Sequence, residues 1–316
     1  MAMKVDIAPE PGSVNRAMDR DEQIRTDAFQ EVAALSNRFA EAIPWSELGA
    51  GFTVAGERIH FSGRARGIFR PRQMRRGVLS IKTTVPRQGR QRRYDDIASD
   101  EGFFLYRFQG EDPNNADNRA LRESWEDRSP LIYFHGVAPS VYQAIWPAFV
   151  SHWDAAGLAV HVVPGQMTAG TAVLPVSEDL RRYAVIQAKQ RLHQAVFREL
   201  VIEAYGGRCA VSGLPETRLL HAAHILPDRD KRGLPVVSNG IAMSVLHHSA
   251  YDLNLMGIDP DGVIHINRDL LEIHDGPTLR HALQDLDHVK MRVPEDPARR
   301  PNRDFLAERF TQFNAA

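Results

Sequence analysis

The sequence predicts an α+β protein with a mixed, mostly β N-terminal domain, a helical connector and a compact C-terminal module. The chain has 316 residues, which is more than one small domain needs. Short β-like runs broken by Gly and Pro fill residues 52–163, whereas residues 178–205 hold the longest helical pattern. We place the segments at 1–44 (tail and helix), 45–170 (β domain), 171–207 (connector) and 208–316 (C-terminal module with an extension).

The N-terminal half begins with a polar tail over residues 1–20. Apolar residues from Ile24 to Ile43 then share one face at helical spacing, and Pro44 ends that helix. FTVAGERIHFSG predicts a hairpin that turns near Gly56. Further strands are predicted at VLSIKTTV, FFLYRF, LIYFHGV and LAVHVVP, and SVYQAIWPAFVSHWDAAG between the last two is predicted as a helix or helical turn.

The connector pattern ends at Gly206-Gly207, a natural helix C-cap, and it fits either one long helix or two. The compact module follows directly. One more amphipathic helix, PNRDFLAERFTQF, is predicted near the C-terminus.

Composition excludes several classes of protein. A hydrophobic content of 43% with 25% charged residues is that of a globular domain. No apolar run approaches a membrane span and MAMKVDIAPEPGS lacks a signal-peptide core, so we expect a cytoplasmic protein with no membrane partner. The single cysteine, Cys209, excludes a disulfide framework or four-cysteine zinc ribbon and is expected to be a small buried side chain.

The net charge of −1 hides a strongly basic segment. From Arg58 to Arg93 there are twelve Lys or Arg and no Asp or Glu. This pattern predicts contact with a polyanion such as double-stranded DNA. The alternative is a solvated face whose counter-charges come from distant sequence. The candidate DNA-binding residues are Arg70, Arg75, Arg76, Lys82, Arg90, Arg92 and Arg93.

The C-terminal module gathers chemistry-bearing residues. LLHAAHI is β-like and carries two histidines, and a polar loop leads to Asn239 and the predicted helix IAMSVLHHSAYDL. On that helix His248 and Asp252 are spaced i, i+4 and project from one face, which suits a divalent cation. His224, on a different element, could act as a base toward water near that ion.

This arrangement resembles the HNH nucleases of the ββα-metal superfamily. His224, Asn239 and His248 give H-x14-N-x8-H in a strand, loop, strand, helix order, and RCAVSG, AAHILP, SNGIAMS and HHSAYD resemble the branch found in bacterial restriction proteins. The resemblance implies that His224 is the general base, that Asn239 braces the loop, and that His248 and Asp252 hold the metal. These roles make His224, Asn239 and His248 the catalytic residues.

One position departs from the family pattern. Many HNH enzymes place a metal ligand immediately before the base, and here that position is Ala223. His221 is the candidate substitute, because strand alternation puts it on the same face; otherwise the metal keeps more waters. The expected cofactor is one divalent ion, Mg²⁺ or Mn²⁺, with Ni²⁺, Co²⁺ and Zn²⁺ as alternatives. Asp252 could instead cap the helix or pair with an arginine, and His247 could be a packing residue or a phosphate contact.

Residues 60–140 are similar to the SET- and RING-associated (SRA) domain, a PUA-like β-barrel that binds modified cytosine. The matching pieces are Gly67-Ile68, Ser80-Ile81, Tyr94-Asp95-Asp96, Tyr106 with Gly110, and Asn118 to Leu121. The resemblance implies a flipped-base pocket in which Tyr94 and Tyr106 stack on the base and Asp96 accepts from its exocyclic amine. The Tyr-Asp-Asp word is one residue short, Arg107 replaces the expected Thr, and packing of both tyrosines inside the barrel is the alternative.

Together the two resemblances imply a modification-dependent restriction endonuclease, acting on DNA that carries 5-methyl- or 5-hydroxymethylcytosine. One alternative is an HNH nuclease that does not require modification. The other is a non-catalytic DNA-binding protein with a degenerate HNH fold, motivated by Ala223. A homodimer is expected, because many such enzymes cut both strands as dimers, and the helices at 24–43 or 178–205 are the candidate contacts.

Overall fold

The computed structural model describes residues 19–85 and 102–314. Its helices are α1 (Arg20–Arg38), α2 (Trp45–Ala50), α3 (Ala116–Glu126), α4 (Glu178–Ala204), α5 (Val245–Asp252), α6 (Arg268–Glu272), α7 (Pro277–Ala282) and α8 (Arg303–Asn314). Its strands are β1 (Ile43–Pro44), β2 (Phe52–Val54), β3 (Glu57–Ile59), β4 (Ile68–Phe69), β5 (Ser80–Lys82), β6 (Phe104–Arg107), β7 (Leu131–Ala138), β8 (Val141–Asp154), β9 (Ala159–Pro164), β10 (Gln166–Thr168), β11 (Thr171–Val173), β12 (Leu220–His224), β13 (Gly240–Ser244), β14 (Met256–Ile258) and β15 (Ile264–Ile266). Among these helices none is long and apolar enough to cross a membrane.

The N-terminal half is built on one seven-stranded, curled half-barrel sheet. Its strand order is β4-β5-β7-β8-β9-β6, with β1 paired to β8, and of these pairs β5–β7 is parallel. The β2–β3 hairpin turns through Ala55 and Gly56, both at positive φ, as the sequence predicted near Gly56. The prediction of a mixed α+β fold is therefore confirmed in outline.

Two secondary-structure predictions for this half are wrong. The helix predicted over residues 24–43 ends at Arg38, and Ile43 lies in β1, which pairs with β8. The stretch predicted as a helix or helical turn is β8, a strand that pairs with β7 on one side and β9 on the other. Eight of its first ten residues are buried, on both faces of the sheet, so the apolar run is nearly continuous. Periodicity alone does not separate such a run from a buried helix. Pro147, in its interior, would have opposed a helix.

Helix α3 was not predicted. It begins at Asn115, whose side chain accepts a hydrogen bond from the Asn118 backbone N–H (2.9 Å). Asn118 itself is fully buried, and its side chain bonds the backbone of Gln109 and Asp112. The N-cap asparagine was the available sequence signal. The helix packs beside β4 and β8 and brings a set of carboxylates next to the basic segment.

Helix α4 is one continuous helix of 27 residues, which decides between the two alternatives left by the sequence. Its first half contributes Val185 and Leu192 to the core beneath the large sheet. Its second half contributes Phe197 and Val201 to the separate core of the C-terminal module. One helix therefore belongs to both cores, and it carries the C-terminal module at a fixed place on its second half.

The C-terminal module is built on the β12–β13 pair followed at once by α5. The strands are antiparallel, with His224 opposite Gly240 and His221 opposite Met243. The sequence prediction extended the α5 helix back to Ile241, and this is wrong: Gly240–Ser244 is a strand because its backbone bonds pair with β12. The β14–β15 hairpin and α8 complete the module.

Candidate active site

The predicted site residues meet where β12 faces the first turns of α5. The α5 helix is capped by Ser244, whose hydroxyl accepts from the His247 backbone N–H (3.3 Å). This start turns His248 toward the strand, where its Nδ1 lies 3.1 Å from Nδ1 of His221. One helical turn later, Asp252 Oδ2 lies 3.3 Å from His248 Nε2. The structure thus brings together three of the residues that the sequence offered as metal ligands.

The donor set around His248 fits a divalent cation. Two facing imidazole nitrogens need either one proton between them or a cation that both can bind. Burial lowers the pKa of His221, and the neighbouring His248 and Arg198 lower it further, so the neutral, metal-binding form is favoured. The donor atoms of His221, His248 and Asp252 do not, however, all approach within 4.8 Å in the described part of the chain. Nδ1 of His248 faces His221 whereas its Nε2 faces Asp252, so one ion can bind all three side chains only if the His248 ring or the Asp252 side chain, which is 61% exposed, moves.

His224 lies at the end of β12, on the same strand as His221. Its ring stacks on Phe197 of α4 with centroids 4.2 Å apart, and its Nε2 is buried without a hydrogen-bond partner. Burial lowers the pKa of His224, with a smaller raising effect from Asp228 and a lowering one from His248. The imidazole is therefore neutral at pH 7 and able to accept a proton.

Asn239 is placed as a brace. It is fully buried, its side-chain oxygen accepts from the Leu226 backbone N–H (2.9 Å), and its amide donates to the carbonyls of Leu226 (3.1 Å) and Leu234 (3.2 Å). These bonds close the loop between β12 and β13. Because every bond goes to backbone, Asn239 fixes the loop that ends beside His224.

The neighbouring positions are structural. Ala223, where many HNH enzymes have a ligand, is fully buried in the C-terminal core. His247 is also buried, with Nδ1 2.7 Å from Ser244 Oγ and Nε2 2.8 Å from the Ala282 carbonyl. Of the two alternatives for His247, this geometry favours packing. Cys209 is buried beside it, as expected.

Sequence reasoning missed three residues around the histidines. Phe197 supplies the ring under His224, and Asp228 acts on its charge from the β12–β13 loop. Arg198 donates to the carbonyls of Thr217 (2.8 Å) and Leu220 (3.1 Å), which ties α4 to the start of β12. The i, i+4 pair Phe197 and Val201 on α4 was the available signal, since such a pair marks a packed helix face.

The basic segment is partly neutralised in the structure. Arg70 pairs with Glu123 (2.9 Å) and Arg66 with Asp117 (3.4 Å), both acids lying on α3. Arg76 bonds Asp127, just past α3, at 2.5 Å. The alternative stated from sequence, counter-charges from distant residues, therefore holds for these arginines. Arg64, Arg66 and Arg70 still line a cleft of about 440 Å³ between the 63–70 segment and α3.

Two residues offered as DNA or base contacts lie in the interior. Lys82 is 5% exposed, and its ammonium donates to the carbonyls of Gly63 (2.6 Å) and Arg64 (3.2 Å). Tyr106 is also 5% exposed and packs edge-on against Tyr133. This geometry favours packing for Tyr106 and an internal role for Lys82. Arg75 keeps its candidate role. Its backbone N–H, not its side chain, bonds Asp21. Arg90, Arg92, Arg93, Tyr94 and Asp96 lie outside the described residues.

Comparison with known proteins gives one family match. Residues 209–259 match the family model described as HNH endonuclease, and this segment contains His224, Asn239, His248 and Asp252. The prediction of an HNH nuclease is thereby confirmed. No curated protein matches the chain. A solved structure described as "Modification dependent TagI restriction endonuclease" is similar at 16% identity and a TM-score of 0.30, over 75% of this chain and 82% of that one. A likeness at that TM-score carries no argument about fold or substrate.

Proposed function

We propose that the chain is a modification-dependent DNA endonuclease, in which His224 is the general base and the N-terminal half selects DNA carrying modified cytosine. The observation that supports the catalytic proposal is the His221, His248 and Asp252 donor set, together with His224, which lies on the same strand as His221 and whose pKa is lowered by burial. The proposal that the N-terminal half reads a modified base is based on the sequence pattern of residues 60–140.

Each residue has a defined task in this proposal. His224 takes the proton from the attacking water, because its pKa is lowered and its ring is held on Phe197. Asn239 keeps the loop behind it closed. His248 and Asp252 hold the divalent ion, with His221 as the third ligand. When bound, that ion supplies positive charge that stabilises the phosphate in the transition state and the leaving oxyanion.

The catalytic proposal is tested by His224→Ala, assayed for plasmid nicking in Mg²⁺ and in Mn²⁺. Loss of a general base is expected to lower the cutting rate about 10²–10⁴-fold while leaving the fold intact. His274→Ala is the matched control, because it removes an exposed histidine outside the site. If neither wild type nor variant nicks DNA in any divalent metal, the degenerate, non-catalytic alternative holds.

The specificity proposal is tested separately with matched plasmids that carry cytosine, 5-methylcytosine or 5-hydroxymethylcytosine. Cutting of the modified plasmids alone is the expected result. The buried position of Tyr106 favours the rival, an HNH nuclease that does not require modification. Equal cutting of all plasmids would establish that rival and leave the catalytic proposal standing.

We also propose that the chain dimerises through the first half of α4. Leu180, Tyr183 and Ile186 are 45%, 58% and 56% exposed there, which is unusual for apolar residues at neighbouring helical positions. The other candidate, α1, buries its apolar face against the sheet. Tyr183→Glu with Ile186→Glu is expected to convert a dimer to a monomer by light scattering, whereas Gln190→Glu on the same helix is not. A monomeric wild type would exclude this contact.

A further inference from the structure

Outside the nuclease site, three side chains on the C-terminal module converge. His265 lies on β15, and Asp287 and His288 lie on the segment that runs beside that strand. One donor atom from each of the three lies within 4.8 Å of the other two. Within the described part of the chain, this is the group of His, Cys, Asp or Glu side chains whose donor atoms lie that close together. It shares no residue with the site formed by His221, His224 and His248.

We propose that His265, Asp287 and His288 form a second metal site, which takes a divalent transition metal of the zinc class and fastens the 284–291 segment to the β14–β15 hairpin. Two imidazoles and one carboxylate are a donor set typical of zinc, with water free to fill the remaining position. His288 is 72% exposed, so an ion can enter from solvent without opening the module.

The backbone fixes the relative position of the donors. The His288 N–H donates to the Ile264 carbonyl (2.8 Å), and the Ile264 N–H donates to the Val289 carbonyl (2.9 Å), so the backbone of the segment is held beside β15. Asp287 Oδ1 accepts from the Ile266 N–H (2.9 Å), which holds the carboxylate while Oδ2 stays beside His288. Such preorganisation lowers the cost of ordering ligands when an ion binds.

His288 occupies a backbone conformation that calls for an explanation. Its φ is +61°, in the left-handed region that residues other than Gly adopt at a cost. This conformation carries its ring to 5.1 Å from the ring of His265. Asp259 Oδ2 lies 3.3 Å from His265 Nε2, and the ring of Phe310 packs on His265 at 4.9 Å. A carboxylate and an apolar ring in contact with a ligating histidine are common outer supports of a metal site.

The experiment titrates Zn²⁺ into the full-length protein after removal of bound metal, by calorimetry, with thermal unfolding followed in parallel. The test variant is His288→Asn, which removes the imidazole and keeps a residue that tolerates positive φ. We expect His288→Asn to weaken this zinc site by at least about 100-fold, more than loss of an outer support. Zinc is also expected to raise the melting temperature of the wild type by more than that of the variant, which keeps only the nuclease site for the ion. DNA cutting in Mg²⁺ should survive in the variant.

Two matched variants keep the outcome unambiguous. His274→Asn removes an exposed histidine outside both sites and should bind zinc as the wild type does. His248→Ala removes the nuclease-site ligand and should retain this zinc site. Asp287→Asn keeps the Oδ1 acceptor and removes the charge, so it replaces His288→Asn if that variant misfolds. Equal zinc affinity in the wild type and the folded test variant would overturn the proposal, and the cluster would then be an ordinary His–Asp ion pair.

Discussion

At the scale of single residues, His224 shows how burial creates a base. An exposed imidazole near pH 6.5 would be divided between its two charge states. Here the Phe197 ring covers one face, Nε2 is sealed from solvent, and the positive form loses hydration that nothing nearby fully replaces. Asp228 opposes this effect from a distance and does not overcome it. The sequence specifies a histidine at this position, but the neighbouring residues decide that its imidazole is mainly neutral.

The pH dependence of cutting follows from that pKa. Because the pKa of His224 lies below its ordinary value of 6.5, the neutral base persists as pH falls, and activity is lost only below 6.5. Single-turnover cutting rates, measured from pH 5 to 8 with saturating DNA and metal, should therefore show an acid limb whose midpoint is under 6.5. DNA binding measured at the same pH values separates loss of chemistry from loss of affinity. A midpoint at or above 6.5 would contradict the assignment.

Asn239 acts through the backbone, so its replacement should cost stability. Asn239→Ala leaves the Leu226 N–H and the Leu226 carbonyl without their partners, whereas the Leu234 carbonyl keeps the Val236 N–H, and the loss is expected to lower the free energy of unfolding by about 1–3 kcal/mol. Asn239→Asp keeps the acceptor but sets a negative charge against the Leu226 and Leu234 carbonyls. At pH 7 it should therefore lower the free energy of unfolding by at least as much as Asn239→Ala does. Urea denaturation measures both. Asn314→Ala, at an exposed helix end, is the control and should change little.

At the scale of elements, the site depends on how closely α4 approaches β13. Gly240 lies opposite His224 in the β12–β13 pair. A Cβ at Gly240 would meet the Val201 side chain and would lie 2.8 Å from Phe197 Cζ. Both are rigidly packed in the C-terminal core, so the glycine is what lets the helix reach the strand. The same contact presents Phe197 to His224.

Gly240→Ala should therefore damage stability and cutting together. Overpacking of this kind typically costs about 1–3 kcal/mol. Because Phe197 must move, the His224 ring loses its support, and the cutting rate should fall by more than the folded fraction does. Thermal unfolding and nicking assays on one preparation test this. Gly102→Ala is the matched control, since its Cβ would make only an ordinary contact at 3.9 Å. An active, stable Gly240→Ala would show that α4 can shift without consequence.

At the scale of the whole molecule, the fold decides which basic residues have acidic neighbours, because it brings together charges that are far apart in the sequence. The twelve basic residues of 58–93 have no acid among them, yet α3 carries Asp117 and Glu123 back against Arg66 and Arg70. Exposed pairs of this kind contribute little stability, but they reduce the positive field offered to DNA. The proposed DNA contact should then depend most on basic residues that have no such acid beside them.

The contribution of the basic segment to DNA binding is measurable as salt dependence. Changing Arg90, Arg92 and Arg93 together to Ala should reduce the slope of log affinity against log salt by roughly 2–3, if each neutralises one phosphate. The matched triple change of Arg66, Arg70 and Arg76 should have a smaller effect, because each already faces a carboxylate. Fluorescence anisotropy over a salt series measures both slopes. Equal slopes in wild type and the first triple would mean that those arginines do not contact DNA.

The sequence by itself determined the features that depend on local spacing. The H-x14-N-x8-H spacing predicted the histidines and asparagine of the candidate nuclease site, and the helical pattern over residues 178–205 predicted α4 as one helix or two. Only the tertiary structure decided the rest. It showed that β8 is a strand, which the sequence could not predict because a segment buried on both faces has no hydrophobic period. It also brought His221 next to His248. It also gathered His265, Asp287 and His288 across one strand pairing. The physical reason is range: hydrogen bonding and side-chain period act within a few residues, whereas burial, charge pairing and ligand geometry depend on residues that only the folded chain brings together.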